Sequence, residues 1–261
     1  MLPGSDNWVR RAMLEGRKVS ASWLQGCSGI SAEIIAAAGY DVAVVDMEHG
    51  PADCLNLISQ IQAMQGYPIV PFVRSPWNDA VWIKRILDCG VKGLFIPYIN
   101  NRAEAEAAVA ATQYPPAGIR GVAGSPRAVN YGYNPKEHIL KANDDICVFL
   151  QIETPEGLKN LDDILLVERM DGIVIGPMDL ASSMGHFADP AAAEVQSAIR
   201  DIEEKTLRAG KALCTVAGGW EDAAEKYRRG YNMIMFLSDT ASLAQVANSR
   251  LQSFKAEFGD K

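Results

Sequence analysis

The chain has 261 residues, 48% of them apolar and 22% charged, proportions of a soluble globular protein that exclude a disordered chain and give no sign of a membrane protein. A formal net charge of -7 argues against nucleic acid as a partner, because phosphate binding needs a clustered excess of Lys and Arg. The length is ordinary for one α/β barrel, with two smaller domains as the other possibility, and it allows a sizeable core.

The N-terminal stretch "MLPGSDNWVRRAMLEGRK" holds no apolar core of signal-peptide length, and no later run reaches the roughly 18 apolar residues of a membrane span. Short β-rich runs then alternate with helical patterns almost to the end. Strands are predicted at 19–24 (VSASWL), 42–46 (VAVVD), 68–73 (PIVPFV), 93–97 (GLFIP), 147–152 (CVFLQI), 172–176 (GIVIG), 212–216 (ALCTV) and 233–237 (MIMFL). Helices are predicted at 31–38, 53–64, 79–88, 102–112, 157–168, 191–209, 221–229 and 241–258, with Ser31, Asp53 and Asp79 as N-cap signals. This alternation predicts βαβ units in a parallel sheet, and eight of each in about 250 residues fits a (β/α)8 TIM barrel spanning 1–261. A doubly wound open sheet is the rival, although no strand is followed by a G-x-G-x-x-G fingerprint.

The irregular stretch 113–146, rich in Gly, Pro, Asn and Tyr, is long for a loop without a function. A short helix inside it is expected. Five cysteines, at 27, 54, 89, 147 and 214, are scattered and never spaced as C-x-x-C. They predict reduced thiols of a cytoplasmic protein rather than a disulfide framework or a zinc site.

In a parallel barrel, the residues just beyond the strand ends converge on one face. After the second run come Asp46, Glu48 and His49; after the third, Arg74; on the fifth, Gln151 and then Glu153; after the sixth, Gly176-Pro177-Met178-Asp179. Asp179 reads equally as an N-cap of the next helix. For Glu153 the capping role falls to Thr154, which leaves a carboxylate at the mouth without a structural duty. His138 and His186 lie in polar contexts and read as surface residues. Glu153 and Asp179, completed by water and substrate oxygens, suit a hard divalent cation such as Mg2+ or Mn2+. Arg74 adds a fixed positive fork for a carboxylate or oxyanion, and His49 a proton carrier. Together these fit enolate chemistry on a 2-oxo acid.

The segments "VVDMEHGP", "PFVRSPWNDAVWIKRILDCGVKGLFIP", "YPPAGIRGV", "QIETPEGLKNLDDIL" and "DGIVIGPMDLASSMGH" resemble the HpcH/HpaI aldolases, metal-dependent pyruvate aldolases of the phosphoenolpyruvate/pyruvate barrel superfamily. The resemblance runs from about Val9 to Phe254. It implies that His49 moves the proton at the reacting hydroxyl, with Asp46 in its supporting network, and that Asp88 raises its basicity. It implies that Arg74 stabilises the transition state, that Glu153 and Asp179 ligate Mg2+, Mn2+ or Co2+, and that Gln151 contacts substrate. The backbone at Met178 and Asp179 would receive the pyruvate carboxylate, and Trp23 and Val216 would border the aldehyde. For Asp88 a surface acid, and for Trp23 plain barrel core, are the alternatives. Met178 stands where the family often has Ala. The long loop offers only Arg120 and Arg127 as cations for a dicarboxylate product.

The expected activity is a divalent-metal-dependent aldolase that reversibly cleaves a 4-hydroxy-2-oxo acid into pyruvate and an aldehyde. No Schiff base is required, since none of Lys84, Lys92 and Lys159 falls at a strand's C-terminal end. The alternatives are a CoA-ester lyase of the citramalyl or malyl type, which lacks an evident basic cluster for the CoA diphosphate, and a non-catalytic metabolite-binding barrel. The resemblance also implies homo-oligomers, trimers of dimers that exchange the C-terminal helix between barrels.

Overall fold

A computed structural model describes residues 7–133 and 135–259. Eight parallel strands, β1 (Val19–Leu24), β2 (Val42–Asp46), β3 (Val70–Arg74), β4 (Gly93–Ile96), β5 (Cys147–Ile152), β6 (Gly172–Ile175), β7 (Ala212–Val216) and β8 (Met233–Ser238), close into a barrel in chain order. Because β1 pairs with β8, the sheet has no free edge and the open doubly wound arrangement is excluded. Twelve α-helices are described: α1 (Trp8–Leu14), α2 (Gly29–Ala37), α3 (Cys54–Ala63), α4 (Ala80–Asp88), α5 (Arg102–Thr112), α6 (Pro135–Asp145), α7 (Pro155–Lys159), α8 (Leu161–Leu165), α9 (Pro177–Ser183), α10 (Ala193–Arg208), α11 (Trp220–Arg228) and α12 (Asp239–Phe258).

The strands form where they are expected because β-branched and aromatic residues alternate between two buried faces. One set, including Val19, Ala21, Val42, Val44, Val70, Phe72, Phe95, Phe149, Val174, Cys214, Met233 and Met235, fills the barrel interior. The other, including Leu24, Val45, Val73, Leu94, Val148, Ile173 and Leu213, packs against the helices. The period of two is therefore a period of layers, and both faces are apolar. Helix α1 puts Val9, Ala12 and Met13 into the interior cluster, and Asn7 fastens its start with amide bonds to the carbonyls of Lys92 and Asp145, each 2.8 Å.

The helix starts are partly as predicted. Asp53 and Asp79 cap α3 and α4, accepting from Asn56 N and from Val81 N and Trp82 N. Helix α2 opens earlier than expected, because Ser28 and not Ser31 is the cap, its hydroxyl accepting from Ser31 N. Helices α1 and α9 are additional to the predicted elements, and α6 is a helix of the kind expected inside 113–146. Helix α6 buries only Ala142, so it carries almost no apolar stripe to read, and α9 is seven residues long behind a proline. The stretch 113–146 holds α6 and a short 3-10 helix, Arg127–Gly132. All five cysteines are free, and among the described residues no helix is long and apolar enough to cross a membrane.

Candidate active site

On three strands, β2, β3 and β5, the inward phase ends on a polar residue at the barrel mouth. Behind Val42 and Val44 comes Asp46, behind Val70 and Phe72 comes Arg74, and behind Cys147 and Phe149 comes Gln151. Asp46 and Arg74 are register partners on β2 and β3, and this neighbourhood makes a bidentate pair: Arg74 Nε to Asp46 Oδ1 at 3.0 Å and Nη2 to Oδ2 at 2.7 Å. Trp23, inward on β1, lies under the guanidinium at 4.6 Å. Burial opposes ionisation of Asp46, but hydrogen bonds and charge from Arg74 and a hydrogen bond from Gln25 outweigh it, so the carboxyl lies below its ordinary range.

Asp46 also shapes the turn that follows it. Its Oδ1 accepts from the backbone N–H groups of Glu48 (3.1 Å) and His49 (3.2 Å), an Asx-type turn. Gly50 is needed there, since a Cβ would overlap the carbonyl oxygen of Asp46. The turn leaves the His49 side chain 58% exposed, with Nε2 at 3.9 Å from Glu48 Oε2. Arg74 Nη1 lies 3.1 Å from the same oxygen, but the angles do not make a hydrogen bond, and Oε2 is buried without a hydrogen-bond partner among the described residues.

Glu153, 1% exposed, follows β5. Its Oε1 accepts from Tyr98 N (2.8 Å) and its Oε2 from Gln151 Nε2 (2.5 Å). Thr154 caps α7, its hydroxyl accepting from Gly157 N, which leaves Glu153 free of that duty. Gly176 makes room, because a Cβ there would sit 2.6 Å from Glu153 Oε2. Gly176 is also the N-cap of α9, so Asp179 lies in the first turn and is not the cap. Its carboxylate acts on both Glu48 and Glu153.

Charge at the mouth is unbalanced. Asp46, Glu48, Glu153 and Asp179 share one guanidinium. Burial first, and then neighbouring carboxylates, push Glu48 and Glu153 each to about 7. A surplus of buried oxygen donors, one without a hydrogen-bond partner, fits a hard divalent cation. Among the described residues no three His, Cys, Asp or Glu side chains form a group able to hold a metal by themselves, so water and substrate oxygens would have to complete the coordination.

The remaining predicted residues divide. Val216 ends β7, half-buried against the interior cluster, and Met178 is 51% exposed on α9. Trp23 belongs to the barrel core and also touches Arg74, so its two readings are compatible. Asp88 stands apart. It is the last residue of α4, and that helix runs from the end of β3 back toward the start of β4, away from the mouth. Its partner is Arg120, at 2.9 Å, and among the described residues no hydrogen bond or ion pair joins it to His49. Arg120 and Arg127 are both buried, the first stacked on Tyr114 at 4.3 Å and the second donating to the Cys89 carbonyl at 2.9 Å. Neither is an exposed cation for a dicarboxylate. His138, read as a surface residue, is half-buried on α6, and its Nε2 is buried without a partner among the described residues.

Three contributors escaped the sequence reading. Gln25 donates to Asp46 Oδ2 at 2.9 Å; it follows β1 in the inward phase of Val19, Ala21 and Trp23, so the signal was present. Tyr98 acts through its backbone N–H, from a left-handed conformation at φ 61, and Ser183 Oγ donates to the Glu153 carbonyl at 2.8 Å. Neither contact leaves a trace in residue type.

The sequence matches the family model described as HpcH/HpaI aldolase/citrate lyase over residues 20–245. It is 41% identical over 249 residues to a 4-hydroxy-2-oxo-heptane-1,7-dioate aldolase of Klebsiella pneumoniae, covering 95% of this chain and 94% of that one. Among solved structures, an HpcH/HpaI aldolase/citrate lyase family protein from Burkholderia cenocepacia superposes with a TM-score of 0.90 at 32% identity, covering 95% of this chain and 99% of the other. The citrate synthase SbnG gives 0.85 at 28% identity, over 96% and 98%.

Proposed function

Because the chain belongs to the HpcH/HpaI aldolase/citrate lyase family and is a carbon–carbon lyase, we propose that all of it acts as one cytoplasmic aldolase domain that cleaves a 4-hydroxy-2-oxo acid to pyruvate and an aldehyde. The observation that carries this reading is the Asp46–Arg74 pair beside an acid-rich mouth and an exposed imidazole. The relative's substrate, 4-hydroxy-2-oxoheptane-1,7-dioate, heads the candidates. With Arg120 and Arg127 buried within the chain, shorter monocarboxylic substrates stand beside it.

Glu153 and Asp179 would hold Mg2+, Mn2+ or Co2+, in a family that is generally divalent-metal-dependent. Such an ion supplies Lewis acidity toward the oxygens of the 2-oxo acid. The rest of the work belongs to side chains. Arg74, held from behind by both oxygens of Asp46, turns its remaining N–H groups to the 2-oxo oxygen, where negative charge grows as the C3–C4 bond breaks. His49 takes the C4 hydroxyl proton as the aldehyde forms. The pyruvate enolate left behind is then protonated at C3. The first turn of α9 leaves the N–H groups of Met178 and Asp179 without helical partners, and these receive the substrate carboxylate. Gln151 contacts the same end, while Trp23 and Val216 border the aldehyde.

Helix α12 supports a homo-oligomer. None of its residues is buried, and Leu243, Val246, Leu251, Phe254 and Phe258 are exposed. Exchange of this helix between barrels in dimers, and three dimers to a hexamer, is the assembly we propose.

Pyruvate release from 4-hydroxy-2-oxo acids, coupled to lactate dehydrogenase, tests the activity. EDTA should abolish it and Mg2+ or Mn2+ restore it; full turnover after exhaustive chelation would refute the metal requirement. Glu153→Ala should lose metal binding by calorimetry, whereas His49→Ala should bind metal and lose turnover.

A further inference from the structure

Gln25 joins two parts of the molecule that the sequence keeps more than 200 residues apart. One end of its amide meets the Asp46–Arg74 pair, Nε2 donating to Asp46 Oδ2 at 2.9 Å. The other meets the root of α12, Oε1 accepting from Ser238 Oγ at 2.9 Å and from Thr240 Oγ1 at 3.4 Å. The backbone is tied there as well, since Gln25 N and Gly26 N donate to the carboxylate of Asp239, Gln25 N at 2.8 Å. The orientation of the amide follows from chemistry: an ionised carboxylate only accepts, so nitrogen faces Asp46 and oxygen faces Ser238.

We propose that Gln25 is a positioning residue for Arg74, acting through Asp46, and that Ser238 at the root of α12 holds Gln25 in place. The proposal rests on reading Arg74 as the group that meets the 2-oxo acid. The two oxygens of Asp46 are secured differently. Oδ1 is fixed by two backbone N–H groups of the following turn. Oδ2 has Gln25 as its one donor besides Arg74 among the hydrogen bonds of the described residues. Without Gln25 the carboxylate is anchored on one side only and can turn about its own axis, carrying the guanidinium with it across the face of Trp23. A guanidinium that must meet a growing negative charge loses effect when displaced by a fraction of its hydrogen-bond length. A purely structural role would ask only that the side chain fill its space and accept from Ser238 and Thr240 at the start of α12, and the isosteric carboxylate would meet that need.

The test compares Gln25→Ala and Gln25→Glu with the unmutated protein in pyruvate release. We expect kcat to fall roughly tenfold in Gln25→Ala, at the low end of what losing a partner one step removed from a site residue costs, with KM little changed. Gln25→Glu should fall at least as far, because it keeps the length of the side chain but presents a carboxylate to Asp46. Ser238→Ala should lower kcat in the unmutated background and leave it unchanged on top of Gln25→Ala, while Ser238→Thr, which keeps the hydroxyl, retains activity. Equal activity in Gln25→Glu and the unmutated protein, or independent multiplication of the Ser238→Ala and Gln25→Ala effects, overturns the proposal. Crystals of Gln25→Ala should show Asp46 turned and Arg74 displaced, and an undisturbed Arg74 overturns it whatever the activity. Displacement of Arg74 in a protein that releases no pyruvate before mutation would instead refute the aldolase reading and leave the positioning role standing.

Discussion

Five donors converge on the carboxylate of Asp46: two from Arg74, one from Gln25 and the backbone N–H groups of Glu48 and His49. The side chain has no exposed surface, and that of Arg74 has little. Removing one partner of such a pair leaves the other buried and uncompensated, which costs about 3 to 5 kcal/mol. Asp46→Ala should lie near the lower end, because Glu48 also stands beside the guanidinium; urea unfolding measures this, and a loss below 1 kcal/mol would contradict the pairing. His138 gives a different single-residue prediction. Burial, then the charges of Lys92 and Arg120, depress it from its ordinary 6.5 to about 4. Between those pH values the unfolded chain binds a proton at this residue that the folded one refuses. The contribution is therefore complete above pH 6.5 and lost as pH falls toward 4. The urea midpoint should decline across that window, and His138→Leu should flatten the decline. Partial exposure of the ring moderates the size of the effect.

At the level of elements, the strand ends decide the chemistry. β6 stops at Ile175, and Gly176 lets α9 begin against Glu153; a Cβ there would meet Glu153 Oε2 at 2.6 Å, Glu153 Cβ at 3.2 Å and Gln151 Nε2 at 3.4 Å. Gly176→Ala should therefore push the Glu153 carboxylate aside and remove most pyruvate-forming activity, while circular dichroism stays that of the folded barrel; wild-type turnover would show that Glu153 needs no such clearance. The strands were legible because apolar residues on both faces make unbroken runs, and the mouth because Asp46, Arg74 and Gln151 interrupt those runs in the inward phase. Asp88 was not legible in the same way. Its motif gave a role, but a helix returning to the start of the next strand carries its last residue away from the mouth, and sequence spacing does not encode that distance. Tyr98 and Ser183 were hidden for another reason: one acts through the backbone and the other on a carbonyl.

On the scale of the whole molecule, α12 is the element that the barrel does not account for. None of its 20 residues is fully buried by the rest of the chain, yet Leu243, Val246, Leu251, Phe254 and Phe258 lie at spacings that bring them to one face of the helix. Most helical stability in proteins comes from packing an apolar face of this kind rather than from propensity. A second copy of the chain is the partner that is always present at matching concentration. Light scattering should therefore give a mass of at least two chains at micromolar protein. Leu243→Glu with Phe254→Glu should lower the mass toward a single chain, because the paired faces would have to bury four carboxylates. If the double variant keeps its assembly, another surface holds the subunits together. If the unmutated protein is a monomer, α12 is a solvated helix and the exchange is refuted. Dissociation should also lower turnover, since the Ser238 hydroxyl that caps α12 is the one that holds Gln25, and a helix released from its partner frays into that root.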